Sequence, residues 1–164
     1  MRTLGLDVGD RRTGVAISDP QGILATPLTV LSSKDEDALM NEIIKLVGQH
    51  MVGCIVVGLP LCMDGEMGKQ AGKVTSFADK LSLRMKQDNF SQLEVKLWDE
   101  RLSTKAVERL KEAGGRGNYP RYGVERRAQN SRFSPKSKVD AMAAAFILQG
   151  FLDSLRDSGQ CQNT

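Results

Sequence analysis

Cys54-Ile55-Val56-Val57 is an unbroken apolar run closed by Gly58 and Pro60. A run of this kind suits a central strand buried on both faces, and such a strand belongs to a sheet covered on both sides. The pattern before it is different. Thr3 to Val8, Thr13 to Ser18 and Gly22 to Leu31 read as three short strands, with turns at Gly9-Asp10-Arg11-Arg12 and Asp19-Pro20-Gln21-Gly22, which makes an antiparallel meander. Ser32-Ser33-Lys34-Asp35 then offers N-cap chemistry, and Leu39, Ile43, Leu46 and Val47 recur at helical spacing, so a helix is expected over Glu36 to Gln49. After the buried strand come a Gly-rich loop, Met63 to Gly68, a second amphipathic helix over Lys69 to Met85, and a strand over Leu93 to Trp98. A helix over Thr104 to Ala113, capped by Ser103 or Thr104, stops at Gly114-Gly115. A mobile loop is expected over about 114–137, because Gly, Pro, Ser and Arg recur there without apolar period. Val139, Met142, Ala143, Phe146, Ile147 and Phe151 mark a final helix, and a polar tail from Asp157 is expected to fray. A meander followed by alternating helix and strand is the pattern of an α/β fold with a mixed sheet and helices on its faces.

The 164 residues suffice for one well-cored domain, expected over 1–156 with a flexible tail at 157–164. A hydrophobic fraction of 40% and a charged fraction of 26% argue against disorder. No apolar run approaches the roughly 20 residues that span a bilayer, and Asp7 interrupts any N-terminal leader. No membrane partner is expected, and the expected location is the cytoplasm. Cys54, Cys62 and Cys161 are odd in number and form no Cys-x-x-Cys pair, which fits a reducing compartment and excludes a thiolate zinc site. The net charge is only +3, but between Gly114 and Lys138 seven Lys/Arg stand against the single acid Glu125. The rest of the chain is therefore net negative, and the basic stretch is the electrostatic footprint of a segment that meets phosphates.

Asp7 lies inside the apolar strand pattern Leu4-Gly5-Leu6-Asp7-Val8-Gly9. An ionised group in a core strand is costly unless something cationic meets it. The strand over Leu93 to Trp98 ends in Asp99-Glu100, and Asp140 opens the last apolar helix. Each acid alone fits an ordinary ion pair at the end of an element. Together, with no Cys/His cluster in the chain, they suggest oxygen ligands for a hard divalent cation, Mg²⁺ or Mn²⁺. Asp99 and Glu100 face opposite sides of an extended strand, so one of them is expected to point into a shared site.

Four motifs then occur in order: Asp7-Val8-Gly9-Asp10-Arg11-Arg12-Thr13-Gly14 continuing to Asp19, Val57-Gly58-Leu59-Pro60-Leu61 with Met63-Asp64-Gly65, Asp99-Glu100-Arg101-Leu102-Ser103-Thr104, and Lys138-Val139-Asp140-Ala141. In these the chain resembles the YqgF (RuvX) family of the ribonuclease H-like superfamily, related to RuvC-type Holliday junction resolvases, over residues 4 to about 152. The resemblance implies an α/β, ribonuclease H-like fold with a five-stranded mixed sheet flanked by helices. It also implies a cytoplasmic nuclease that processes the 5′ end of pre-16S rRNA. Carried onto this sequence, it makes Asp7, Glu100 and Asp140 the catalytic metal ligands, with Asp99 as the substitute for Glu100. Arg11, Arg12, Arg101, Arg126, Arg127, Arg132, Lys136 and Lys138 are then the expected nucleic-acid contacts. The segment Gly115 to Pro135 departs from the family's pattern by its length. Structured RNA is the expected partner, branched DNA the alternative, and the chain is expected to be a monomer or homodimer.

Two rival readings share these residues: a Holliday junction resolvase-like DNA nuclease, and a non-catalytic nucleic-acid-binding or transcription factor on the same fold. Asp7-Val8-Gly9 with Gly14 also resembles the phosphate-binding hairpin of sugar-kinase and actin-type ATPases, but a chain of this size holds no second lobe to clasp a nucleotide. His50, between a helix and a strand, suits a helix end rather than catalysis. Trp98 is expected on the face opposite Asp99, in the core. Tyr119, Tyr122 and Phe133 interleave with arginines in a pattern compatible with stacking on unpaired bases.

Overall fold

The structure, a computed structural model, describes residues 1–32, 34–61, 68–99 and 135–160. The three meander strands form as β1 (Arg2–Val8), β2 (Thr13–Ser18) and β3 (Ala25–Leu31). They are followed by α1 (Glu36–His50), β4 (Val52–Leu59), α2 (Lys69–Gln87), β5 (Glu94–Asp99) and α3 (Pro135–Gln160). The strands make one five-stranded sheet in the order β3-β2-β1-β4-β5. β1 pairs antiparallel with β2 and parallel with β4, β2 pairs antiparallel with β3, and β4 pairs parallel with β5. The mixed sheet expected from the sequence is therefore present.

β4 lies between two parallel neighbours and buries side chains on both faces, as its apolar run requires. On one face Leu4, Leu6, Val15, Ile17, Ile55 and Val57 pack with Met40, Ile43 and Val47 of α1 and Val74, Phe77, Leu81 and Met85 of α2. On the other, Ala16 and Val56 meet Ala144, Ile147, Leu148, Phe151 and Leu152 of α3. The two-residue alternation of β1 thus sends Leu4 and Leu6 to α1 and α2, and Gly5 and Asp7 to α3.

Several boundaries differ from expectation for local reasons. β3 begins at Ala25 rather than Gly22, because Asp19 Oδ1 accepts from the Ile23 and Leu24 amides at 2.6 and 2.9 Å and holds them in the turn. Leu93 precedes β5, its amide donating to Phe90 O at 3.0 Å. Asp35 is the N-cap of α1 and accepts from the Asp37 amide. α3 starts at Pro135, inside the stretch expected as loop, since proline is favoured in the first helical turn where its missing N–H costs nothing. It runs to Gln160, past Asp157, with Ser158 Oγ donating to Ser154 O at 2.8 Å. The helix expected over 104–113 lies outside the described residues.

The face that α3 buries also differs from its bulkiest apolar stripe. Val139, Met142 and Phe146 are exposed, while Ala141, Ala144, Ile147, Leu148, Phe151 and Leu152 face the sheet. The sheet dictates this choice. A Cβ on Gly5 would lie 2.7 Å from Leu148 Cβ and 3.1 Å from Ala144 O, and a Cβ on Gly14 would collide with the Asp140 carbonyl oxygen. Helix and sheet backbones therefore approach so closely over β1 and β2 that only small side chains fit between them. Replacing Gly14 by Ala should lower stability by about 1–3 kcal/mol, the usual cost of overpacking. Urea unfolding of the two proteins measures it, and an unchanged midpoint would show that α3 shifts freely.

Candidate functional site

Asp7 lies one residue from the end of β1 and pairs in register with Gly14 of β2. Because Gly14 has no side chain, the first turns of α3 rest directly against this pair, with the Asp140 backbone over Gly14. The first strand and the last helix thereby bring the carboxyls of Asp7 and Asp140 into electrostatic contact. Both residues are half-buried. Burial first, and then the neighbouring Asp140 charge, push the Asp7 carboxyl above the usual carboxylate range. Among the described residues no cation pairs with Asp7.

The cation nearest this pair is bound to the other acid. Arg12 Nε stands 3.0 Å from Asp140 Oδ2, yet this buried oxygen receives no hydrogen bond among the described residues. The contact is an ion pair whose N–H is not directed at its acceptor. Arg12 is held by its backbone, since the Gly9 amide donates to Arg12 O at 3.0 Å and closes the β1–β2 turn. α2 braces the same hairpin: Lys73 Nζ lies 3.1 Å from Asp10 Oδ1, and Gln70 Nε2 donates to Val8 O at 3.4 Å.

At the edge of the sheet, β5 pairs Trp98 with Gly58 and Asp99 with Leu59. Leu59 packs with the α1 and α2 side of the core and Trp98 with the α3 side. The register therefore places Trp98 on the face of Asp7 and Asp99 on the other. Trp98 is a core residue, edge-on to Phe151 with ring centroids 5.6 Å apart, and its buried Nε1 has no acceptor among the described residues. Glu100, Arg101, Arg126, Arg127 and Arg132 lie outside the described residues. Lys136 and Lys138 belong to the opening turn of α3, and Arg11 is exposed at the tip of the hairpin. His50 closes α1.

Among the described residues no group of three His, Cys, Asp or Glu side chains is placed to hold a metal ion. Two of the three expected acids do come together, and their chemistry suits a hard cation: both present oxygens, Asp7 has no cationic partner, and Asp140 Oδ2 lacks a donor. The Arg12–Asp140 pair and the spacer role of Gly14 are not evident in the acid pattern. The turn could have revealed Gly14, because closing the hairpin with Gly9 opposite Arg12 places Gly14 opposite Asp7.

A family model described as "RuvX: Holliday junction resolvase" matches residues 1–154. The chain belongs to the RuvX family of nucleases. A Clostridium botulinum (strain Hall) protein named "Putative pre-16S rRNA nuclease" is 41% identical over 155 residues, covering 94% of this chain and 98% of its own. A Desulforamulus reducens protein of the same name is 39% identical over 154 residues, covering 94% and 98%. Among solved structures, T. thermophilus RuvC in complex with Holliday junction substrate aligns with a TM-score of 0.56 at 11% identity, over 95% of this chain and 96% of that one. The yeast mitochondrial Holliday junction resolvase Ydc2 aligns with a TM-score of 0.54 at 11% identity, over 92% and 77%. These likenesses show the fold, which is ribonuclease H-like. Among the described residues, no helix is long and apolar enough to cross a membrane.

The raised carboxyl of Asp7 makes a thermodynamic prediction for this RuvX protein. Below the unfolded-state value of about 3.9, Asp7 is protonated in both states and contributes no pH dependence. As pH rises through the window between the unfolded and the higher folded value, the unfolded state releases its proton first, so stability falls and stays lower above it. Asp7→Asn should therefore melt a few degrees above wild type at pH 7 in EDTA, with the gap closing near pH 3. Calorimetry at both pH values decides it; a variant that melts lower at pH 7 would mean that the fold already satisfies the charge.

Proposed function

We propose that this chain is a divalent-cation-dependent endonuclease of the bacterial cytoplasm that cleaves phosphodiester bonds in structured nucleic acid, with the 5′ end of pre-16S rRNA as its substrate. The observation that carries this reading is the pairing of Asp7 with Asp140 at the C-terminal end of the central strand β1, with no cation on Asp7 among the described residues. The curated relatives' name supports the RNA substrate. Asp7, Asp140 and Glu100 would hold the cation, Glu100 because the register sends Asp99 to the other face. Their oxygen-only character favours Mg²⁺ or Mn²⁺. Once bound, such a cation supplies an activated water and offsets charge on the leaving oxygen. The rest is the work of the protein: the β1–β2 hairpin fixes Asp7, and α3, anchored on the sheet through Leu148 and Phe151, fixes Asp140. A second reading, cleavage of branched DNA, is favoured by the family description and by the fold shared with junction resolvases.

RNA hairpins carrying a precursor-like 5′ extension, tested against four-way DNA junctions with and without Mn²⁺, distinguish the substrates. Cleavage should require Mg²⁺ or Mn²⁺ and vanish in EDTA, while Ca²⁺ should bind without supporting turnover because its larger, irregular shell misplaces the attacking water. Asp7→Asn and Glu100→Gln should each reduce the rate at least about a hundredfold, as loss of a positioned catalytic group does. Full, specific cleavage in excess EDTA would exclude this chemistry and favour a binding factor.

The basic stretch from Gly114 to Lys138 serves, in this proposal, as the surface that meets phosphates. Replacing Arg126, Arg127 and Arg132 together by Gln should weaken binding alike across sequences and reduce the slope of log affinity against log salt by about two to three. Fluorescence anisotropy over a salt series measures it; an unchanged slope would assign the phosphate contacts elsewhere.

A further inference from the structure

Arg12 is joined to the site by a contact that carries charge without a directed bond. Its Nε is 3.0 Å from Asp140 Oδ2, and the two side chains are 39% and 29% exposed. The side chains are partly exposed while Asp140 Oδ2 itself is buried and receives no directed hydrogen bond. A pair that is neither fully desolvated with good geometry nor rigidly bonded contributes little to stability, so its presence beside the acid pair calls for another reason. Asp10, the acid on the same hairpin, is already paired with Lys73. The backbone of Arg12 is pinned through the Gly9 amide, so the guanidinium can leave Asp140 by side-chain rotation alone. A planar guanidinium released beside this hairpin is well suited to grip a phosphate through two hydrogen bonds.

We propose that Arg12 is a displaceable counter-ion: in the free protein it neutralises Asp140, and when a divalent cation takes the carboxylates it moves to hold a phosphate of the nucleic-acid strand. The inference rests on the reading that Asp7 and Asp140 hold that cation. Two positive charges compete for one acid pair, so the free protein binds the cation weakly. A strand that accepts Arg12 relieves this competition. Cation and strand then strengthen each other's binding, and by linkage the coupling is equal in both directions.

Mn²⁺ titration of the full-length protein without nucleic acid tests the counter-ion role, using wild type, Arg12→Gln, Arg12→Lys and Asp140→Asn, each checked for an intact thermal transition. Arg12→Gln should bind Mn²⁺ about two- to fivefold more tightly, as expected when one partly exposed charge pair is removed. Arg12→Lys should stay near wild type, and Asp140→Asn should lose most of the binding. In Ca²⁺, Arg12→Gln should bind an RNA hairpin more weakly, with a salt slope smaller by about one. If Arg12 merely positions Asp140, Arg12→Gln will bind Mn²⁺ equally or less tightly while Asp140→Asn still abolishes binding, and the counter-ion role is overturned. Equal Mn²⁺ binding by wild type and Asp140→Asn would instead remove the metal site itself, and this inference with it.

Discussion

The backbone of α3 can lie against β1 and β2 because Gly5 and Gly14 present no side chain at the two points of closest approach. This contact governs more than packing. It chooses which side of α3 is buried, seating Ala144 and Leu148 directly over Gly5 and carrying Phe151 and Leu152 onto the same face farther along. It also sets the depth of Asp140. A helix one methyl group farther from the sheet would carry that carboxylate away from Asp7, and no element on the other face could compensate, since α1 and α2 pack against Leu4, Leu6 and Ile55 independently of α3. The core thus has two halves, and the one next to the acids is built from smaller side chains.

Electrostatics in this half run against stability. Two half-buried acids stand together, one with its protonated form favoured by burial and repulsion, the other beside an arginine that gives its inner oxygen no hydrogen bond. Isolated buried charges are avoided in cores that serve only to fold. The opposite face illustrates the contrast, for its buried side chains from β1, β4, α1 and α2 pack as one continuous apolar cluster. A cost placed where the end of the central strand meets the last helix is what a binding site leaves in a fold.

Much of this architecture was legible in the sequence, and the reason is local. β1 and β2 follow from alternation on either side of a short turn, β4 from its apolar run, and α1 and α2 from helical spacing, each within a few residues of the observed bounds. Less legible was anything decided by partners distant along the chain. Val139, Met142 and Phe146 form the more conspicuous stripe on α3, but close approach to glycines more than a hundred residues away excludes it. Likewise, alternation shows that Asp99 and Glu100 point apart, and only pairing with Gly58 and Leu59 shows which way Asp99 turns. The ion pair of Arg12 with Asp140 is a contact between residues 128 apart in number, with no signature in either neighbourhood.

That separation also determines when the site can exist. The hairpin carrying Asp7 and Arg12 forms from neighbouring residues, and its pairing needs little loop closure. Asp140 joins it only after the chain has passed through β4, α2 and β5 and returned as α3 to the sheet's other face. Contacts of such long sequence separation are entropically expensive until the sheet offers a complete surface. Asp7 is therefore spared its acidic neighbour while the hairpin forms, and meets it when the small-residue face of α3 docks and the burial of Leu148 and Phe151 is available to offset the repulsion. The unfavourable charge pair and the apolar contact that sustains it arrive on the same helix, so any change that loosens α3 removes the site before it unfolds the sheet.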